Sequence, residues 1–154
     1  MKTNEILIRK AVESDSEQLW NLMKELAIFE HYIDNFAITP DIVKKAGFQK
    51  ATPDFYSFVA VDGEDLAGML VYYFLPYTAQ NRKAIYMKEL YVDGKYRGQR
   101  IGEKLVEALK EEAADNGCKQ IKWTVAPWNE DGQRFYNRLG AEQNNDWLNY
   151  ELNI

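Results

Sequence analysis

The chain has 154 residues, 46% hydrophobic and 14% aromatic, and 19 Lys and Arg against 24 Asp and Glu give a net charge of −5. This length and composition describe one domain, residues 1–154, with a real core, and exclude a disordered tail. The acidic balance argues against nonspecific nucleic-acid binding and favours cationic ligands. No run approaches the roughly 20 apolar residues of a membrane span and no signal peptide is legible, so no membrane or nucleic-acid partner is expected. Cys118 is the single cysteine, which leaves no internal disulfide and points to a cytoplasmic setting.

In chain order, residues 6–9 read as a short strand. Ser14 and Glu17 have capping-box spacing, and Leu19, Leu22, Met23, Leu26 and Ala27 follow with helical periodicity. Thr39-Pro40 opens a second helix that Gly47 closes. Residues 55–61 and 66–77 read as a hairpin around Asp62-Gly63-Glu64-Asp65, and 84–92 as the next strand. A helix over about 99–116 repeats Ile101, Leu105, Leu109 and Ala113 on one face. Residues 120–125 read as a strand, 131–138 as a helix, and 147–152 as a last strand. This order is a mixed α/β layer.

Residues 91–105 are the most informative stretch. An apolar strand ends, a glycine-containing polar turn follows, and a long amphipathic helix begins at once. Backbone N–H groups in such a turn, with the positive end of the helix dipole, make a site for phosphate oxygens. Glycines let that backbone approach a bulky anion, and Arg97, Arg100 and Lys104 add positive charge. The same pattern also fits an ordinary strand-to-helix loop with solvated arginines.

Arg97-Gly98-Gln99-Arg100-Ile101-Gly102 resembles the acyl-CoA-binding motif of the GNAT superfamily of N-acetyltransferases: Arg or Gln, two residues, Gly, one residue, Gly or Ala. Arg100 stands where the middle glycine belongs, and its N–H still points at a phosphate if its φ stays helical. Three further blocks resemble the diamine and thialysine N-acetyltransferase branch. They are Lys24-Glu25-Leu26-Ala27 with Phe29-Glu30, residues 86–92, and residues 125–130 with 135–141. Their order and spacing agree over nearly the whole chain.

The resemblance implies an α/β fold with a mixed, splayed central sheet of six to seven strands and about four helices. It implies a homodimer, acetyl-CoA as cofactor, and direct acetyl transfer to a primary amine of a small molecule, a diamine, polyamine or lysine-like amino acid. The pyrophosphate is expected on Gly98, Gln99, Arg100, Ile101, Gly102 and Glu103, with Arg97 beside it. The pantetheine arm is expected against the backbone of Leu90, Tyr91 and Val92, which a bulge there would free from ladder pairing. Leu90 and Val92 are also compatible with plain core roles.

Acetyl transfer needs a neutral amine and a proton for the departing thiolate. Tyr136 is the candidate donor, since a phenol with a pKa of about 10 is protonated at neutral pH; packing against Phe135 is its other role. Asn129 is expected to fix the cofactor or to cap the helix that follows. Glu89 is the candidate base, and a structural ion pair is its alternative. Lys88 stands where the diamine branch has a second carboxylate. Strand alternation puts Lys88 and Glu89 on opposite faces unless a bulge intervenes. Lys88 disfavours a long polyamine and suits an acceptor with its own carboxylate.

Glu30 and Asp34 are candidates for the distal amine, and Phe29 or Trp147 for its methylenes, although each also fits a loop or core role. His31, the only histidine, lacks partner spacing, so no metal site is expected. Nothing resembles a Ser-His-Asp or Cys-His set, which favours direct transfer over an acyl-enzyme. The aromatic segment 147–150 gives an apolar strand for contact or exchange between protomers. A protein-modifying acetyltransferase and a non-catalytic acyl-CoA-binding regulatory module are the other function classes.

Overall fold

Nine regular elements follow one another in the computed structural model, which describes residues 5–76 and 79–154. They are β1 (Leu7–Lys10), α1 (Ser16–Phe29), α2 (Pro40–Phe48), β2 (Tyr56–Asp62), β3 (Asp65–Leu75), β4 (Ala84–Val92), α3 (Ile101–Asp115), β5 (Ile121–Lys122) and α4 (Glu130–Arg138). The chain forms two compact units that divide after Thr124. All five strands lie in the first unit, in the order β1-β2-β3-β4-β5. The first four pair antiparallel, β1 with β2 across the long connection that carries α1 and α2, and β5 returns parallel to β4 after the α3 crossover.

The apolar stripes predicted for α1 and α3 are the buried faces. Leu19, Leu22, Met23, Leu26 and Ala27 of α1 are all buried, the first four clustering with Val59, Val61, Leu66, Met69 and Val71 of the hairpin. Ile101, Leu105, Leu109 and Ala113 are buried along α3. Burying each large aliphatic side chain stabilises by about 1.5–3 kcal/mol, so these two stripes fix both helices on the sheet. A polar clamp adds to the second. Tyr72 Oη donates to Glu112 Oε2 at 3.1 Å, and Lys10 Nζ lies 2.7 Å from the same oxygen.

Several local expectations change. α1 does not use the Ser14–Glu17 capping box. A 3-10 turn, Glu13–Asp15, precedes it, and the Asp15 carboxylate is committed to the Val12 N–H at 2.8 Å and Arg9 Nη1 at 2.7 Å. α2 is capped as expected, with Thr39 Oγ1 accepting from Ile42 N–H at 3.2 Å, but it runs through Gly47. Gly47 is there for space, since a Cβ would lie 2.7 Å from Phe55 Cζ. Tyr77, the expected end of β3, lies outside the described residues.

Among the described residues the sheet has five strands rather than six or seven. Residues 120–125 shorten to Ile121–Lys122, because the ladder to β4 ends there. Residues 147–152 form no strand. A strand exists only where a neighbouring edge takes its backbone hydrogen bonds, and apolar alternation cannot supply that partner. No helix among the described residues is long and apolar enough to cross a membrane.

Candidate active site

β4 carries the site because the ladder is interrupted on one of its edges and ends early on the other. Toward β3, Glu89 pairs with Val71 and Met87 with Tyr72, which leaves Lys88 as an extra residue in a β-bulge. Toward β5, pairing is confined to Ile85–Ile121 and Tyr86–Lys122. From Met87 to Val92 that edge therefore has no strand beside it among the described residues.

Leu90, Tyr91 and Val92 keep their register with Leu70, Met69 and Gly68, so the bulge does not free them as expected. Their opening comes from the early end of β5. The Asp93 N–H donates toward β3, to Ala67 O at 2.8 Å. Strand alternation then turns the N–H and C=O of Val92 and Leu90 to the open edge. The Val92 carbonyl accepts there from Arg97 Nε at 3.4 Å. An edge of unpaired backbone groups is where an extended ligand can add as a strand would.

The turn after β4 is fastened by side chains. Asp93 Oδ1 accepts from Lys95 N–H at 3.0 Å, and Tyr96 Oη donates to Asp62 Oδ2 at 2.7 Å, tying the turn to the β2–β3 hairpin. That bond, with burial and the neighbouring carboxylates, pushes the Tyr96 phenol up to about 12. The Arg97 guanidinium sits 5.7 Å from the Phe29 ring and 5.9 Å from the Tyr91 ring. Arg97 thus ties the turn to α1 and β4 through cation–π contacts.

Arg100 does not keep the helical φ expected of it. It is left-handed, with φ 60° and ψ 25°, and Gly98 has φ 82°. Arg100 adopts the conformation that a glycine supplies freely, at a cost of about 1–2 kcal/mol. None of the N–H groups of residues 98–103 donates to an acceptor among the described residues; the first bond into α3 is Lys104 N–H to Arg100 O at 3.1 Å. Six unused backbone donors at a helix N-terminus fit a pyrophosphate.

A second group gathers at the bulge. α1 ends in a Schellman turn: Tyr32 N–H donates to Ala27 O at 2.9 Å and His31 N–H to Ile28 O at 3.3 Å. His31 takes the left-handed position, φ 64°, that glycine usually fills. The half-buried Glu30 and Tyr32 flank this reversal, and both lie within electrostatic reach of Glu89. Glu89 Oε2 is buried and has no hydrogen-bond partner among the described residues. Burial, opposed by Lys88 and reinforced by Glu30, pushes the Glu89 carboxyl up to about 7. Burial raises Glu30 as well, against the pull of Lys88, and raises Tyr32 with help from both carboxylates.

The structure therefore brings Glu30, Lys88 and Glu89 together and adds Tyr32, which sequence reasoning missed because it lies beyond the last periodic residue of α1. The bulge is what lets Lys88 and Glu89 act on the same neighbour. Asp34 is exposed on the following 3-10 turn, Ile33–Asn35, and shares none of these interactions. Phe29, the last residue of α1, has its ring against the Arg97 guanidinium.

In the second unit, Asn129 Oδ1 accepts from Gly132 N–H at 3.0 Å, so its capping role is realised. A Cβ on Gly132 would lie 2.5 Å from Asn129 Nδ2, which explains the glycine. Tyr136 is half-buried, its ring 5.4 Å from that of Phe135. α4 ends in another Schellman turn, with Gly140 at φ 89° and Ala141 N–H donating to Tyr136 O at 3.1 Å. Trp147 is 85% exposed in a segment without regular structure, followed by exposed Leu148, Tyr150, Leu152 and Ile154.

β4 thus carries Glu89, with a buried carboxylate oxygen, then an open edge at residues 90–92, and leads into a turn whose backbone donors fit an anion. Residues 17–141 match the Acetyltransferase (GNAT) family, and the chain belongs to that family. It is 33% identical over 145 residues to thialysine N-epsilon-acetyltransferase of Bos taurus, covering 89% of this chain and 84% of the bovine one. The Mus musculus enzyme of the same name is 32% identical over 156 residues, 94% of this chain and 91% of its own. In fold, an integron cassette protein from V. cholerae superposes with a TM-score of 0.81 at 22% identity, over 96% of this chain and 92% of that one. The chain is a GNAT N-acetyltransferase of the branch that the three further sequence blocks resemble. Acetyltransferases of this family use acetyl-CoA as a rule.

Proposed function

We propose that the protein moves an acetyl group from acetyl-CoA directly to the primary amine of a small molecule, a diamine, polyamine or lysine-like amino acid. The observation that carries this is the buried, unpartnered Oε2 of Glu89 beside the open edge of β4. A desolvated carboxylate oxygen without a donor is costly alone and is satisfied by an ammonium N–H. The bovine and murine relatives are named for acetylating thialysine, which supports a small amine as acceptor.

Bound acetyl-CoA supplies the activated thioester carbon. The backbone N–H groups of residues 98–103 hold the pyrophosphate, and Leu90 and Val92 offer backbone groups to the pantetheine amides. Glu89, poised near neutral pH, holds the incoming ammonium and takes its proton, leaving a neutral nucleophile. In this reading Tyr136 Oη delivers its proton to the departing sulfur, Asn129 helps fix the cofactor, and Phe29 and Trp147 cover the acceptor's methylenes. Residues 1–154 act as a single acetyltransferase domain. The test is release of free CoA with a panel of spermidine, putrescine, thialysine, lysine and aminoglycosides. Turnover with at least one aliphatic amine is expected; hydrolysis at the no-amine rate throughout refutes the reading.

We also propose a cytoplasmic homodimer. Cys118 is a buried free thiol, in keeping with a reducing compartment. Leu148, Tyr150, Leu152 and Ile154 alternate with Asn149, Glu151 and Asn153 and are all exposed, the pattern of a strand that needs another edge. Light scattering is expected to give twice 18.0 kDa; a monomer at working concentration refutes the dimer.

A further inference from the structure

Lys88 has no part in the proton transfers above, yet the bulge places it at the centre of the site's charge. Strict alternation would send it to the face opposite Glu89. Instead its ammonium pulls against the burial that raises both the Glu89 and the Glu30 carboxyl, so it acts on the same side as the two acids. It is exposed and makes no direct ion pair or hydrogen bond with either. Its donors are therefore available to a ligand held at Glu89.

The three charges are not those of a site for a simple diamine. Glu89 has the vacant buried acceptor, so the reacting amine belongs there. What lies next to it is one anion and one cation, Glu30 and Lys88. A diamine brings a second ammonium, which Glu30 attracts and Lys88 repels. An α-amino acid brings an ammonium and a carboxylate on one carbon, and these match Glu30 and Lys88 together. Each like-charge approach in a partly desolvated site disfavours the wrong ligand as surely as the pairing favours the right one.

We propose that Lys88 is the specificity-determining residue of this site, pairing with the carboxylate of an amino-acid acceptor whose terminal amine is held by Glu89 and whose α-ammonium faces Glu30. This rests on the amine acetyltransferase reading and adds the residue that sets the acceptor class. Lys88 acts on selection alone; the amide bond forms and the proton leaves through the groups already named.

The test compares L-lysine with 1,5-diaminopentane, which differ only by the carboxylate, as acceptors for wild type, Lys88→Arg, Lys88→Met and Lys88→Glu. The readout is the ratio of the two kcat/KM values, so a general loss of activity cancels. Wild type and Lys88→Arg should favour lysine by about tenfold or more, the value of one hydrogen bond between charged groups. Lys88→Met should bring the ratio near one, and Lys88→Glu should invert it. A ratio that stays the same in Lys88→Met and Lys88→Glu overturns the proposal, and so does a wild type that prefers the diamine. Turnover by wild type only with amines of another class sinks the role of Lys88 and leaves the acetyltransferase reading standing. No turnover with any amine sinks both.

Discussion

Replacing Glu89 by Gln keeps the side chain's shape and removes its titration, so the variant isolates what burial does to this carboxyl. In the fold the group is pushed from the ordinary 4.5 up to about 7, which corresponds to about 3 kcal/mol between its two protonation states. The shift is upward, so the fold favours the protonated form. That contribution is complete below pH 4.5 and is lost as pH rises through about 7. Wild type should lose up to about 3 kcal/mol from this residue across that window, while Glu89→Gln loses none of it. At about 2–4 °C per kcal/mol for a chain of this size, the melting curves should nearly coincide at pH 4.5 and separate by several degrees at pH 8, with the variant more stable. Thermal unfolding of both proteins at half-unit pH steps measures this directly. In parallel, wild-type kcat/KM should rise with pH through about 7 as the carboxylate forms, and the variant should fall by at least about 10²-fold and lose that limb. Melting curves that keep a constant separation from pH 4.5 to 8 refute the burial argument, whatever the activity does.

Gly98→Asp, which adds a negative charge in the pyrophosphate turn, should weaken CoA binding at least about tenfold by calorimetry. Gly98→Ala, with the same left-handed strain and no charge, should weaken it less; equal or unchanged affinities sink the phosphate assignment. Arg100→Gly should raise the melting temperature by about 2–4 °C, since relief of left-handed strain outweighs glycine's added chain entropy by about 1 kcal/mol. An unchanged or lower midpoint removes the strain. Tyr136→Phe should lower kcat by about 10²–10⁴-fold, assayed with a slow amine, with little change in KM for acetyl-CoA. If only thermal stability changes, Tyr136 is a packing residue beside Phe135.

The helical stripes of α1 and α3 and the antiparallel core were legible because periodicity and burial are the same fact seen twice. β4 was read to the residue, since its apolar run is bounded by a charged turn on one side and Lys83 on the other. What the sequence did not carry were features set by a partner or by a single dihedral. The bulge at Lys88 depends on how β3 and β4 align, and nothing in Met87-Lys88-Glu89 announces it. The left-handed turns at His31 and Arg100 fall on non-glycine residues, for which positive φ is uncommon, so both the approach of Tyr32 and the conformation of the phosphate turn were hidden. Asp62 and Tyr96 lie 34 residues apart, and no local pattern links them. The strand expected at 147–152 failed for a related reason: alternation marks which face would be apolar but not whether an edge is there to pair with.

The central claim is direct transfer to a small amine, and following the label from [14C]acetyl-CoA in a single turnover tests it most directly. Enzyme in excess over labelled cofactor should release CoA only when an aliphatic amine is added. The label should then appear entirely in the amine, with none retained on the protein. Label that accumulates on the protein before the amine arrives, or that goes only to protein lysines when small amines are present, contradicts the account.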